Sequence, residues 1–178
     1  MKTFDQLVEE IKKLKKIGFI KTHRSGNTGI GKTLEDELGI EENNFPGPDG
    51  ITTELKSARK NSKSMLTLFT KSPDPHGINS ELLKSFGYPG TNGKLHLHTT
   101  VNAVEFNTLK GKTGFKIEIK DDKVNLVSKN KNLVPYWKKE TLQKSFEKKY
   151  TELLYVKAES QLSGSNEEFH FNEAWLMK

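Results

Sequence analysis

Three residues near the end of the first third of the chain have types and spacing that could support phosphodiester chemistry. Asp49, Glu54 and Lys56 form the pattern Asp, four residues, Glu-x-Lys. Side chains on a strand alternate between its two faces, so Glu54 and Lys56 project together while Leu55 points the opposite way. A Pro-Asp-Gly turn signal places Asp49 at the bend that leads into this strand. The spacing therefore predicts two carboxylates and an ammonium at one edge of a strand.

Two carboxylates suit Mg²⁺, a hard ion that takes oxygen ligands and often shares them with phosphate. The neighbouring Lys56 could deprotonate or orient the attacking water, or stay charged and stabilise the phosphorane. This combination indicates a metal-dependent nuclease. However, Glu-x-Lys on a strand is also typical of a solvated ion pair, and Asp before Gly is typical of a simple turn. The three residues alone leave both interpretations open.

A second motif lies upstream. The segment Gly26–Thr33 reads Gly-x4-Gly-Lys-Thr, the phosphate-loop pattern of nucleotide-binding proteins, in which Lys32 would reach the phosphates. That interpretation requires a buried strand just before the loop, whereas residues 21–25 are polar. Glu35 and Asp36 would also place negative charge beside a triphosphate. A nucleotide-binding module that uses Gly26–Thr33 is kept as an alternative function.

Composition limits the class of protein. The chain has 178 residues, enough for one domain with a core, and its 29 basic and 23 acidic residues give a net charge of +6. This charge favours a polyanionic partner. The absence of cysteine excludes disulfides and thiolate metal sites and fits a reducing compartment. The N-terminus lacks the apolar core of a signal peptide, and no apolar run approaches membrane-spanning length. We expect a cytoplasmic protein.

The elements that must position these residues follow from apolar periodicity and turn signals. A helix is predicted over 3–17, a loop over 21–33, and a short helix from about Thr33 to Gly39 with Glu35 and Asp36 in its first turn. Later helices are predicted from about residue 79 to 86 and near 139–150. Strands are predicted at 51–57, 64–71, 94–106, 115–119, 124–127, 152–159 and 168–175. The order predicts an α/β (α+β) fold with a mixed central sheet flanked by helices, without regular βαβ repetition.

A few other residues could do chemistry. His96 and His98 alternate on a predicted strand and could share a metal, although no third ligand is apparent. Tyr136 and Trp137 could stack on bases, but large aromatics in such places are more often core. The sequence holds only two arginines, which is few for base recognition through bidentate hydrogen bonds from arginine to guanine.

Taken together, these motifs carry a family resemblance. The run from His23 to Gly39, then Pro48-Asp49 and Glu54-Leu-Lys56, then Leu66–Pro73, closely resembles the MvaI/BcnI family of restriction endonucleases, relatives of the mismatch-repair enzyme MutH. Weaker matches follow at 136–137, 157–160 and 171–174, so the resemblance covers most of the chain. It implies a PD-(D/E)xK nuclease fold and Mg²⁺-dependent hydrolysis of double-stranded DNA by a type II restriction enzyme. It further implies a monomer with a DNA methyltransferase as its genetic partner.

The resemblance assigns roles by position. Asp49 and Glu54 would hold the metal and Lys56 would be the catalytic lysine. Glu35 matches the acid that MutH-like enzymes place on the helix before the motif. The glycine-rich loop would lie against the DNA backbone, and Lys71 would end a neighbouring strand on the same side. The residues that would touch DNA are Arg24, Asn27, Lys32 and Lys71.

The resemblance also bears on domain organisation. We expect a single nuclease domain over 1–178, with a catalytic lobe of about 1–75 and the remainder a mixed sheet with helices. The family pattern continues beyond residue 174 into a segment where much of the base recognition is made, so we expect a chain that ends at Lys178 to lack it. A MutH-like repair nickase and a catalytically idle DNA-binding fragment are therefore also kept as alternatives.

Overall fold

The computed structural model describes residues 1–41, 47–91, 93–129 and 133–177. Within these ranges the helices are α1 Phe4–Ile17, α2 Gly29–Glu37, α3 Ile78–Phe86 and α4 Lys139–Glu147. The strands are β1 Ile20–Lys21, β2 Thr53–Arg59, β3 Tyr88–Pro89, β4 Leu95–His96, β5 Thr108–Leu109, β6 Lys112–Thr113, β7 Phe115–Lys120, β8 Lys123–Ser128, β9 Tyr136–Lys138, β10 Glu152–Ser163 and β11 Asn166–Met177. No helix in the described part of the chain is long and apolar enough to cross a membrane.

The chain divides into two compact units. The first consists of Met1–Thr67 and Phe146–Lys178, and the second of Leu68–Ser145. The first unit holds a four-stranded mixed sheet of order β1-β11-β10-β2, in which β2 runs parallel to β10 and the other pairs are antiparallel. The second unit holds the antiparallel sheet β7-β8-β9 and two two-stranded pairs. The predicted mixed α+β class is confirmed, and the first unit takes β10 and β11 from the end of the chain in addition to its N-terminal residues.

Helix α1 forms as its sequence predicts. Thr3 accepts a hydrogen bond from the backbone of Gln6, whose side chain reaches back to the Thr3 backbone, and this capping box starts the helix. Its apolar stripe, Leu7, Ile11 and Leu14, is buried in the core of the first unit. The stripe thus fixes the helix on one side of the sheet that carries β2.

Helix α2 begins at Gly29, four residues before the predicted start at Thr33. Gly29 must be glycine because a β-carbon there would collide with the Arg24 carbonyl and lie 2.7 Å from Thr22 Oγ1. The buried Thr33 hydroxyl donates to the Gly29 carbonyl at 2.8 Å and accepts from the His23 backbone at 3.0 Å. Glycine is therefore needed at this helical position because the Arg24 carbonyl approaches the helix backbone closely. The expectation that Glu35 and Asp36 lie in the first turn is wrong.

Strand β2 carries the Glu-x-Lys motif and runs two residues further than predicted, to Arg59. Leu55 is buried in the core of the first unit together with Leu34 of α2. It pairs in register with Leu154 of β10, while Glu54 and Lys56 face the other way. Apolar contacts on one face of the strand thus hold the charged pair on the opposite face.

Two predicted strands are wrong. Residues 61–73 contain no strand, because β2 takes its neighbour, β10, from the distant end of the sequence. Lys71 therefore does not end a strand beside β2; it belongs to the second unit, where its carbonyl accepts from Trp137 Nε1 at 2.9 Å. The predicted strand 94–106 is reduced to Leu95–His96, since the Asn102 side chain accepts from the backbone of Val104 and Glu105 and turns the chain.

The remaining strand predictions are confirmed. The hairpin of β7 and β8 turns at Asp121 and Asp122, which have positive φ values of 51° and 55°. Both long strands at the end of the chain form and extend beyond their predicted limits. Lys178 lies outside the described residues. In the second unit Trp137 packs against a core that includes Phe115 and Leu126, which favours the core interpretation of this aromatic over base stacking.

Candidate active site

The turn before β2 positions Asp49. The Gly50 backbone donates to the Thr53 carbonyl at 2.8 Å and closes the bend, and Asp49 Oδ2 accepts from the Leu55 backbone at 2.8 Å. Asp49 is half-buried. Burial raises the pKa of Asp49, and the negative charge of Glu54 acts in the same direction. The bend therefore holds a partly desolvated carboxylate where a cation would be stabilised.

Glu54 is the most constrained charged residue of the site. Its side chain is fully buried, and the Lys56 ammonium contacts its Oε1, as the sequence predicts. The ammonium of Lys149 also lies 2.8 Å from this oxygen. Glu54 Oε2 is buried and has no hydrogen-bond partner among the described residues. A buried carboxylate oxygen without a partner is costly, so this arrangement favours an additional cation at Oε2.

Sequence reasoning missed Lys149 and its neighbour Tyr150. Both lie between α4 and β10, far along the chain from the motif, and reach Glu54 only because β10 pairs with β2. Burial, followed by the charges of Glu54 and Asp49, raises the pKa of Tyr150 to about 12. The phenol therefore stays protonated beside the two carboxylates. Only the pairing of distant strands could have revealed these residues.

The donor set fits Mg²⁺ better than it fits a transition metal. Among the described residues no group of three or more His, Asp or Glu side chains could hold a metal ion. The rings of His96 and His98 lie 5.8 Å apart between centroids and gain no third ligand. Mg²⁺ typically keeps several waters and is bound through one or two carboxylates plus substrate phosphate. Asp49 and the free oxygen of Glu54 meet that requirement.

A cavity of about 330 Å³ adjoins Lys56 and is formed by the glycine-rich loop, α2 and β2. The structure brings most of the predicted site residues to its walls, and these are Arg24, Asn27, Lys32, Glu35 and Lys56. Lys56 thus belongs both to the carboxylate cluster and to the cavity. Lys71 lies in the second unit.

The glycine-rich loop is held by ion pairs. Arg59 donates to both carboxylate oxygens of Glu167, at 2.6 and 2.5 Å, and to the carbonyls of Gly26 and Asn27 at 3.2 and 3.4 Å. Its guanidinium lowers the pKa of the Glu167 carboxyl. Arg59 therefore braces the loop against β11, a role that its sequence position did not reveal.

Lys32 also differs from the lysine of a phosphate loop. Its ammonium lies 2.7 Å from Asp36 Oδ1, and the other Asp36 oxygen lies 3.0 Å from His23 Nδ1. Hydrogen bonds from Lys32 and then His23 lower the pKa of Asp36. The loop follows β1, a two-residue strand at the edge of the sheet, whereas a nucleotide-binding phosphate loop follows a buried strand. The local structure therefore lacks the context that the nucleotide-binding alternative requires.

Comparisons with known proteins identify the fold. The model of the MvaI/BcnI restriction endonuclease family matches residues 8–178. A structure of the restriction endonuclease MvaI with cognate DNA substrate is 34% identical, with a TM-score of 0.88, over 97% of this chain and 73% of that chain. A structure of MvaI in the absence of DNA is 33% identical, with a TM-score of 0.51, over 100% of this chain and 76% of that chain. No curated protein matches the chain significantly.

These matches confirm both the resemblance and the fold expected from the sequence. The family model covers nearly the whole chain, and the cluster of Asp49, Glu54 and Lys56 lies within the matched region. The chain therefore belongs to the MvaI/BcnI family of restriction endonucleases, and by that membership it is a site-specific deoxyribonuclease.

Proposed function

We propose that this chain is a Mg²⁺-dependent type II restriction endonuclease that hydrolyses phosphodiester bonds of double-stranded DNA at Asp49, Glu54 and Lys56. The observation that carries the proposal is the Glu54 carboxylate, which is fully buried, is contacted on one oxygen by two ammonium groups, and has its other oxygen without a partner in the described chain. A buried carboxylate oxygen without a partner is costly, and a bound cation at Oε2 would remove that cost.

Asp49 and Glu54 would hold the metal. A bound Mg²⁺ would activate a water molecule and neutralise the negative charge that grows on phosphorus oxygens during hydrolysis. The protein contributes the placement of both carboxylates, because the Leu55 backbone orients Asp49 and the strand fixes Glu54. Rigid strand and turn geometry avoids reorganisation during the reaction.

Lys56 would contribute positive charge at the reacting phosphate. It contacts Glu54 and also lines the adjoining cavity, so its ammonium can reach a phosphate oxygen from a fixed position. A preorganised cation of this kind stabilises charge that develops in the transition state. Glu35, on the wall of the same cavity, would support the site from α2.

Double-stranded DNA is the substrate that fits this site. The MvaI structure with a TM-score of 0.88 was obtained with cognate DNA substrate. The net charge of +6 favours a polyanion. Arg24, Asn27 and Lys32 would contact the DNA backbone from the glycine-rich loop, which Arg59 holds in place.

Plasmid cleavage tests the proposal. Supercoiled plasmid is incubated with the protein in Mg²⁺ or in EDTA, and with the Glu54→Gln and Lys56→Ala variants. Cleavage that requires Mg²⁺ and is lost in both variants is expected. Lys60→Ala is the matched control, because Lys60 follows the same strand and pairs with the exposed Glu159 at 2.9 Å. Undiminished cleavage by the Glu54 and Lys56 variants would contradict the assignment.

The same assay separates the alternative functions. Linear product indicates double-strand cleavage, whereas product that stays open-circular indicates a nickase of the MutH kind. An intact plasmid together with ATP binding that Lys32→Ala abolishes would instead indicate a nucleotide-binding module.

A further inference from the structure

Glu54 has two lysine partners, although the Glu-x-Lys motif supplies only one. Lys149 lies 2.8 Å from Glu54 Oε1, the oxygen that Lys56 also contacts. The side chains of Lys149 and Lys56 are 29% and 25% exposed, whereas that of Glu54 is 0% exposed. Each ammonium is therefore partly exposed and lies between the buried carboxylate and the solvent from which a ligand would bind.

The backbone holds Lys149 in this place. The backbone N–H groups of Lys149 and Tyr150 both donate to the Phe146 carbonyl, at 3.0 and 2.9 Å. The buried Tyr150 ring stacks on Phe146 with centroids 5.0 Å apart. Two residues later β10 begins, with Glu152 in register with Thr53. The contact with Glu54 is thus built into the start of β10.

The charges of this cluster balance in the absence of a metal. Asp49 and Glu54 supply two negative charges, and Lys56 and Lys149 supply two positive charges. A divalent cation near Glu54 would add two further positive charges and would be repelled by Lys149. Negatively charged phosphate would restore the balance and would give the Lys149 ammonium a new partner.

We propose, on the basis of the metal-dependent function above, that Lys149 is a second active-site lysine and a displaceable counter-ion of Glu54. It neutralises the Glu54 carboxylate in the free protein. When a divalent metal binds Glu54 at Oε2, it competes with Lys149 for the negative charge of the carboxylate, and the ammonium contacts a phosphate oxygen of bound DNA. Metal binding is consequently weakened without DNA and strengthened with DNA, which couples the two ligands.

The test measures metal affinity and cleavage separately. The affinity for Mn²⁺ alone is determined without DNA, and cleavage of supercoiled plasmid is measured at saturating Mg²⁺. Lys149→Met should bind Mn²⁺ roughly tenfold more tightly than the wild type, because it removes a repelling charge. Its cleavage rate should fall on the order of 100-fold, because a phosphate-binding cation is lost.

Two further variants separate charge from structure. Lys149→Arg should keep wild-type affinity for Mn²⁺ and recover part of the cleavage rate. Lys148→Met is the matched control, since Lys148 is the exposed neighbour in the same segment, and it should match the wild type in both measurements. If Lys149→Met unfolds, Lys149→Gln removes the charge with a polar replacement and should show the same tighter Mn²⁺ binding.

Unchanged or weaker Mn²⁺ binding by the charge-removing variants would overturn this inference, as would cleavage at the wild-type rate. If the wild type binds Mn²⁺ and cleaves in Mg²⁺, and the Lys149 variants behave in the same way, this inference is overturned and the proposed function stands. A wild type that neither binds Mn²⁺ nor cleaves in Mg²⁺ overturns the proposed function with it.

Discussion

The two compact units of the chain differ in charge. The first unit, Met1–Thr67 with Phe146–Lys178, has 16 Lys and Arg against 16 Asp and Glu, so its net charge is zero. The second unit, Leu68–Ser145, has 13 Lys against 7 Asp and Glu, and it therefore carries the whole net charge of +6. It contains no arginine.

This difference in charge corresponds to a difference in role. The first unit holds the candidate catalytic residues, and the second unit holds the excess positive charge that would attract a polyanion. The neutral unit holds its charges in specific pairs, such as Glu54 with two lysines and Arg59 with Glu167, where geometry fixes each group. In the basic unit Lys120, Lys123 and Lys138 lie directly opposite one another across β7, β8 and β9. Like charges in such positions destabilise a sheet, and a bound polyanion would relieve their repulsion.

The largest expected effect concerns cleavage, which should depend on the first unit. Lys56→Met should lower the plasmid cleavage rate about 100- to 1,000-fold, because it removes a preorganised cation from the reacting phosphate. Lys123→Met, on β8 of the second unit, should lower the rate at saturating protein only a few-fold. Equal losses in the two variants, measured as initial rates in Mg²⁺, would remove the distinction between the units.

An intermediate effect concerns DNA affinity, to which the basic second unit should contribute in addition to the glycine-rich loop of the first unit. Replacing Lys120, Lys123 and Lys138 together by Gln should weaken DNA binding and lower the slope of log affinity against log salt by up to about 3. The same variant should gain roughly 2 °C in thermal midpoint, because like-charge repulsion is removed. Binding titrations in EDTA at several salt concentrations and thermal unfolding provide the two measurements.

A matched triple variant on α1 sharpens this prediction. Lys12 and Lys13 pair with Glu9 and Glu10 at 2.7 and 2.9 Å. Replacing Lys12, Lys13 and Lys16 together by Gln should therefore lower stability slightly. The salt slope should change less than in the β-sheet variant. A larger change in the α1 variant would show that the lysines of the β-sheet contribute less to phosphate binding than those of α1.

The smallest expected effect is a pH dependence at the Arg59–Glu167 pair. Arg59 lowers the pKa of Glu167 below its ordinary value of 4.5, so the stabilisation is fully present above that value and is lost as pH falls through the folded-state pKa. Glu167→Gln should therefore unfold at a lower temperature than the wild type near pH 7. The difference should shrink at acidic pH, as the wild-type carboxyl takes up a proton.

Thermal unfolding at both pH values checks this prediction. Glu168→Gln is the control, because Glu168 accepts a neutral hydrogen bond at 2.9 Å from Gln161 Nε2. A stability difference between Glu167→Gln and the wild type that stays constant with pH would show that the ion pair contributes nothing.

Local rules were sufficient for the Asp49, Glu54 and Lys56 cluster. A turn signal and the alternation of strand side chains place these residues within eight positions of one another, and the structure brings Glu54 and Lys56 into contact. The sequence predicts too late a start for α2 because Gly29 looks like a loop residue, whereas a glycine there allows the close approach of the Arg24 carbonyl. The sequence pattern carries no trace of that backbone contact.

Pairing between strands that are distant in the sequence explains the features that the sequence did not predict. The predicted strand over 64–71 assumed that β2 pairs with the next segment along the chain, but β2 pairs with β10. The same pairing brings Lys149 and Tyr150 to Glu54. Single-sequence periodicity shows where a strand can form but does not show which strand lies beside it.

Metal binding by the DNA-free protein is the most direct test of the central claim, which is that Asp49 and Glu54 form the metal site. The affinity for Mg²⁺ is measured calorimetrically for the wild type, for Glu54→Gln and for Glu152→Gln. Glu152 is the matched control, because its carboxylate accepts from the Thr53 hydroxyl at 3.1 Å on the same strand pair. We expect Glu54→Gln to lose Mg²⁺ binding while Glu152→Gln keeps it. Undiminished Mg²⁺ binding by folded Glu54→Gln would contradict the account.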